Sequence, residues 1–480
     1  MTMTTALTDP RIEDPASPPA RSPVDRFFKI SERSSTVARE LRGGVATFFT
    51  MAYIVVLNPI ILSGGADMNG VHLAMPQLIT ATALIAAIMT LIMGVGGNVP
   101  LAVAAGLGLD GVLAFQIAPH MTWPDAMGLV VIEGLGIVVL VATGLRQAIM
   151  DAIPLALKQA IGVGIGLFIA FIGLADAGFV TAAKGTPVQL GRTGQLTGWP
   201  IVVFVVGLAL TTILLARKVK GALLISIVAS TVLAVVLNSV FHPAWALNTP
   251  KLPSGVVGNP DFGLFGHFSL GGAFAHAGIM TALVFAFTLI LSDFFDAMGT
   301  IIGVSGQAGL LDERGRLPGI GRILMIDGVA AVAGGAGGAS SNTCFVESAA
   351  GVGEGARTGL ANVVTGALFV VALFLTPLAE IVPSEAATPA LVAVGFMMMT
   401  HVKNIPWDDF TVAIPAFLTI VLMPFTYSIT NGIGAGFIAY VLLRCATGRA
   451  REVKPLLWVV ALFFLAYFCL NPIESMLGIG

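Results

Sequence analysis

Two polar stretches carry acids inside a chain that is otherwise made for lipid. One reads Ser292-Asp293-Phe294-Phe295-Asp296-Ala297-Met298-Gly299-Thr300, the other Ser340-Ser341-Asn342-Thr343-Cys344-Phe345-Val346-Glu347-Ser348. A carboxylate at the centre of a membrane helix costs roughly 2.5 to 3.5 kcal/mol on insertion scales, and neither stretch holds a Lys or Arg to offset it. Acids kept at membrane depth can take up a proton, hold a cation, or accept hydrogen bonds from a polar solute. That combination describes a transport site. Asp293 and Asp296 are three residues apart and so share nearly one helical face; the bland alternative is a pair of helix-end carboxylates in structural hydrogen bonds. Phe345, beside Glu347, offers either an aromatic face for a flat solute or ordinary core packing. Asp110, in Ala104-Ala105-Gly106-Leu107-Gly108-Leu109-Asp110, either reaches the same site from a second short segment or caps a helix. Glu133 and Asp327 read as hydrogen-bonding partners, with a proton relay as the alternative.

The elements that position these groups follow from composition. The 480 residues are 56% hydrophobic and 10% charged, against about 25% charged in soluble domains, and mean hydropathy is +0.94. The chain is therefore an all-α polytopic membrane protein, since a membrane β-barrel would show short alternating segments instead. Residues 1–42, rich in Pro, Ser, Thr and Arg, form a tail without the apolar run of a signal peptide, its first 25 or so residues disordered. Apolar runs place a first set of spans at 43–64, 76–95, 100–118, 126–146, 159–177, 199–217 and 220–240. A loop at 241–275 separates them from 276–300, 322–339, 341–355, 359–383, 388–402, 410–425 and 427–445. The segments at 100–118 and 341–355 are short and glycine-rich, and each is third in its set. Broken spans at matching places in two halves point to a transporter's binding site. An odd number of spans per half turns 43–240 and 276–445 into inverted repeats. Residues 446–480 hold a basic segment and an apolar stretch, 456–470, that is either a fifteenth span or an interfacial helix.

Lys and Arg set the orientation. Arg11, Arg21, Arg26, Lys29, Arg33, Arg39 and Arg42 put the N-terminus in the cytoplasm. Loops on that side add Arg146 with Lys158, Arg217, Lys218, Lys220, Arg314, Arg316, Arg322 and Lys403, and the tail adds Arg444, Arg449, Arg451 and Lys454. Only Lys184, Arg192 and Lys251 fall outside. Cys344, Cys445 and Cys469 have no metal-type spacing and suggest no disulfide framework. No cofactor or metal is expected. An intramembrane enzyme is disfavoured because neither a His-Glu-x-x-His motif nor a Gly-x-Ser-x-Gly elbow occurs.

Several motifs carry a resemblance. Phe48-Phe49-Thr50-Met51-Ala52-Tyr53 leading to Asn58-Pro59, the Asp293 to Thr300 stretch, Val346-Glu347-Ser348-Ala349-Ala350-Gly351 through Arg357-Thr358-Gly359, Ala152-Ile153-Pro154 through Gly173, and Pro424-Phe425-Thr426-Tyr427-Ser428-Ile429 are similar to AzgA-like purine permeases of the nucleobase–cation symporter family. The resemblance runs from Arg39 to Lys454. It implies fourteen spans in two inverted repeats, with spans one to four and eight to eleven forming a core and the others a gate. It also implies proton-coupled uptake of hypoxanthine, guanine or adenine across the inner or plasma membrane. Its site residues fall on Asp293 with Asp296, on Glu347, and on Asp110, where the family usually has Asn. An ionised Asp only accepts hydrogen bonds while Asn also donates, so substrate preference is open at that point. Na⁺ in place of the proton, and a homodimer as the assembly, stay open alternatives. The rival readings are an anion transporter of similar architecture and a cation channel, the latter because acidic rings select cations.

Overall fold

The computed structural model describes residues 22–144, 153–183, 186–191, 193–245, 249–253, 255–313 and 316–477. The tail through Arg21, with Arg146, Ala152, Lys184, Arg192 and Arg314, lies outside the described residues. Apolar runs in a medium without water must bond their own backbone, and helices do so. Among the described residues, ten helices are long and apolar enough to cross a bilayer. The shorter Leu360–Ala372 and Phe410–Phe425 and two broken segments complete the set expected from sequence.

In chain order the first span is α1 (Val37–Met51) and α2 (Ile54–Gly64), joined at Ala52 and Tyr53. There the bonds tighten, with Val55 N donating to Ala52 O at 3.2 Å and Val56 N to Tyr53 O at 3.0 Å. The span starts at Val37, earlier than the apolar run, because Thr36 caps it by accepting from Arg39 N. Next come α3 (Met75–Ile92), strand β1 (Val103–Ala105) with half-helix α4 (Leu107–Val112), and α5 (Trp123–Ala142). Then follow α6 (Leu155–Asp176), an exposed hairpin of β2 (Val180–Ala183) and β3 (Thr186–Leu190), α7 (Trp199–Ala216) and α8 (Ala222–Phe241). The second half holds α9 (Ile279–Gln307), α10 (Ile320–Gly337), strand β4 (Asn342–Cys344) with half-helix α11 (Ser348–Gly353), and α12 (Gly359–Ala372). It ends with α13 (Ser384–Met399), α14 (Phe410–Phe425), α15 (Ile429–Ala446) and α16 (Pro455–Leu477).

Two packing groups result. Helices α1–α5 pack chiefly with α9–α12, and α6–α8 with α13–α15. In the first group α5 and α10 cross at backbone contact: a Cβ on Gly134 would lie 2.5 Å from Val332 N and 2.6 Å from Gly328 O. Small residues of this kind let membrane helices approach closely. The groups meet where α4 and α9 touch α6, where α9 touches α15, and where α1 and α2 touch α8 and α13 respectively. The segment at 456–470 lies within helix α16. The helix has 23 residues and is about 34 Å long at 1.5 Å per residue, packed on α15 and α9 with Phe464 buried.

Candidate functional site

The site grows from β1 and β4, which pair antiparallel with Val103 opposite Cys344, Ala104 opposite Thr343 and Ala105 opposite Asn342. Gly106 N donates to Ser341 O and Phe345 N to Ala102 O, each at 2.9 Å, so the ladder continues past the strand ends. Half-helices α4 and α11 both begin at this crossing. Strands at membrane depth survive only when every backbone group is satisfied, and the polar residues of the spans do that. Thr90 Oγ1 both donates to Val103 O at 2.9 Å and accepts from Val103 N at 3.0 Å. Ser348 Oγ accepts from Ala102 N at 2.9 Å, and Asn362 Nδ2 donates to Leu101 O at 2.5 Å.

Glu133 and Asp327 belong to the same support. Glu133 Oε1 accepts from Ser341 Oγ at 2.9 Å. Asp327 Oδ1 accepts from Cys344 N at 3.0 Å and Thr343 Oγ1 at 3.3 Å. Both acids are buried, and their second oxygens have no hydrogen-bond partner.

Asp293 and Asp110 are placed differently. Each is 0% exposed, and neither carboxylate oxygen of either residue has a hydrogen-bond partner. Thr343 adjoins Asp293 and Ser340 adjoins Asp110 without closing a bond of good geometry. Asp110 therefore sits in the first turn of α4 without capping it. Asp296 departs from the shared-face expectation in one respect: it is exposed where Asp293 is buried. Asp293 faces Asp327 of α10 and Glu133 of α5 electrostatically, with Thr343 of β4 adjoining it, whereas the stretch after it opens, and a Cβ on Gly299 would meet nothing within 4 Å. Asp296 faces Glu347 electrostatically.

Glu347, half-buried at the N-cap of α11, is held twice by the first span. Tyr53 Oη donates to its Oε1 at 2.5 Å, and Thr50 Oγ1 donates to its carbonyl at 3.3 Å. Phe345 is 7% exposed and joins the main apolar cluster, while Val346 between it and Glu347 is 55% exposed. The structure thus gathers Asp110, Asp293, Asp296, Phe345 and Glu347 around one crossing. None of these acids makes an ion pair among the described residues, and no group there has the makings of a metal site. Sequence reasoning missed Tyr53 and Thr50 as site residues. The available signal was a hydroxylated aromatic in an otherwise apolar span.

Comparisons with known proteins agree with this geometry. The profile of a family described as "Permease family" matches residues 38–435. Adenine permease AdeP of Escherichia coli (strain K12) is 38% identical over 92% of this chain and 95% of its own length. Guanine/hypoxanthine permease PbuO of Bacillus subtilis (strain 168) is 38% identical over 92% of this chain and all of its own. Among solved structures, the transmembrane domain of a cyanobacterium bicarbonate transporter, BicA, superposes with a TM-score of 0.60 at 18% identity, covering 83% of this chain and 96% of that one. That likeness establishes the fold, seven plus seven segments in inverted repeat.

Proposed function

We propose that this chain, which belongs to the permease family, carries purine nucleobases across the cell membrane together with a proton, by alternating access. Membership makes it a membrane transporter and not an enzyme. The purine reading is supported by relatives named for adenine and for guanine and hypoxanthine. The observation that carries the mechanism is the uncompensated acid set: Asp293 and Asp110 buried without partners, and Glu347 with Asp296 at the open edge beside them.

A purine has polar edges that present N–H donors and a flat π-face. Glu347, fixed by Tyr53, accepts from one edge. Asp293 and Asp110 lie deeper, and Phe345 supplies an apolar wall at the strand end. Burying ionised carboxylates beside one another is costly unless charge is neutralised. A proton taken up from outside by the Asp293, Asp296 and Glu347 set lowers that cost, so the loaded site crosses more readily than the empty charged one. The group built on α1–α5 and α9–α12 then shifts against the other. In the cytoplasm, on the side of the N-terminus, the base leaves and the proton follows.

Uptake of radiolabelled adenine, guanine and hypoxanthine, in a host lacking its own purine permeases, tests this reading. Saturable uptake that a protonophore abolishes supports it. Uptake that follows Na⁺ instead replaces the coupling ion, and uptake of none of the bases rejects the substrate.

A further inference from the structure

Away from the acids, one buried polar junction ties the two packing groups together. Gln116 lies just beyond α4, in the wide turn Leu113–Ile117, and is 7% exposed. Its Oε1 accepts from Ile429 N at 3.0 Å, and its Nε2 donates to Thr430 Oγ1. Thr430 Oγ1 donates onward to Thr288 Oγ1 at 3.3 Å, and both threonines are 0% exposed. Gln116 and Thr288 belong to the α1–α5 and α9–α12 group, Thr288 on the same helix as Asp293. Ile429 and Thr430 open α15 in the other group. Rings seal the junction: Phe115, next to Gln116, lies edge-on to Tyr427 at 5.9 Å, and Tyr427 also meets Phe168 at 5.2 Å.

The chemistry makes this contact specific to one arrangement. Ile429 N is among the first N–H groups of α15, which have no partner inside the helix. In a dry site such a donor must find an acceptor elsewhere, and Gln116 supplies it across the group boundary. When the groups part, water has to replace all three bonds. We propose that Gln116, with Thr430 and Thr288, is a positioning residue of transport that holds the mouth on the α4–α5 loop side closed in this conformation and must release it in every cycle. The Lys and Arg distribution puts that mouth outside. This inference rests on the alternating-access reading above.

Two experiments on the full chain in membranes test it. In a chain with Cys445→Ser and Cys469→Ser, Gln116→Cys with Thr430→Cys is bridged by a short bis-methanethiosulfonate, each thiol displacing methanesulfinate, a linker that makes up the reach of the lost Gln116 side chain. The cross-link should form, cut labelled hypoxanthine uptake at least tenfold, and restore it on reduction. Failure to cross-link, or normal uptake by the cross-linked protein, overturns the latch. Separately, Thr430→Val should favour the open mouth, because a carrier's apparent affinity scales with its competent fraction. Half-saturating external hypoxanthine should then fall about tenfold, equivalent to ~1.4 kcal/mol, while the maximal rate also falls. A drop in maximal rate with half-saturation unchanged marks a merely structural residue and overturns the proposal. A wild-type chain that takes up no base rejects the substrate reading, whatever the cross-link does.

Discussion

Tyr53→Phe isolates one interaction at the proposed site. The ring stays where it is, 1% exposed among the helices, and only the hydroxyl that donates to Glu347 Oε1 at 2.5 Å is lost. Hydrogen bonds to a charged group contribute about 1.5 to 3 kcal/mol net. Glu347 is half-buried, so water can take the vacated place and the lower end applies. About 1.5 kcal/mol corresponds to roughly tenfold in affinity. Removing the hydroxyl leaves no buried donor unpaired, so the fold should not suffer. The expected result is a roughly tenfold rise in half-saturating base with protein abundance unchanged. A double-mutant cycle sharpens the assay, because residues in direct contact give non-additive effects. Against Glu347→Gln, the further loss from Tyr53→Phe should be much smaller than against wild type. Strict additivity of the two substitutions, or an unchanged half-saturation in Tyr53→Phe alone, refutes the idea that Tyr53 works through Glu347.

Other substitutions separate the roles of the acids. Glu347→Gln should lose most purine uptake while still reaching the membrane, since an amide keeps the shape but gives up the charge and presents a donor where the base also presents donors; labelled uptake at low substrate concentration measures this. Asp293→Asn should abolish or uncouple uptake while leaving thermal stability equal or higher, because it removes an unpartnered buried carboxylate; melting in detergent and uptake between pH 5.5 and 8 check the two halves. Asp110→Asn should be milder and shift preference among bases, since unpaired donors and acceptors govern rejection of close analogues; a competition panel of unlabelled bases reads it. Glu40 accepts from Arg357 N at 2.9 Å and Thr358 N at 3.2 Å in a fully buried position. Glu40→Ala leaves two backbone donors bare, and stability should fall by about 2 kcal/mol or more, seen as a lower melting temperature with the site itself intact.

Much of the fold is legible in the sequence because lipid leaves few choices. A run of about 20 apolar residues must be a helix, and the apolar runs give nearly every helix seen. The misses have local causes. Residues 359–383 read as one span, but α12 stops at Ala372 and a short helix, Thr376–Glu380, follows, with Pro377 and Pro383 nearby to interrupt a longer helix. Val103-Ala104-Ala105 is as apolar as any helical turn, so nothing local marks it as a strand; its partner lies some 240 residues away. The contrast between Asp293 and Asp296 is equally hidden. Spacing puts them on nearly one face, yet exposure depends on which helices pack against each turn of α9. Tyr53 meets Glu347 and Gln116 meets Thr430 across about 300 residues, distances at which periodicity carries no information.

What separates structural from functional polarity in this chain is satisfaction. Thr90, Ser348 and Asn362 look like breaches of an apolar span, yet each completes a backbone bond at the strand crossing. Their cost is met locally, and nothing further need be asked of them. Asp327 and Glu133 are intermediate, with one oxygen engaged and one bare. Asp293 and Asp110 have all four oxygens bare at full burial. A fold selected for stability alone would place Leu or Ala there, since well-packed apolar groups replace buried charges without loss. On the function proposed above, the partners that Asp293 and Asp110 lack come from outside the chain: a proton, and a base whose edges carry N–H donors.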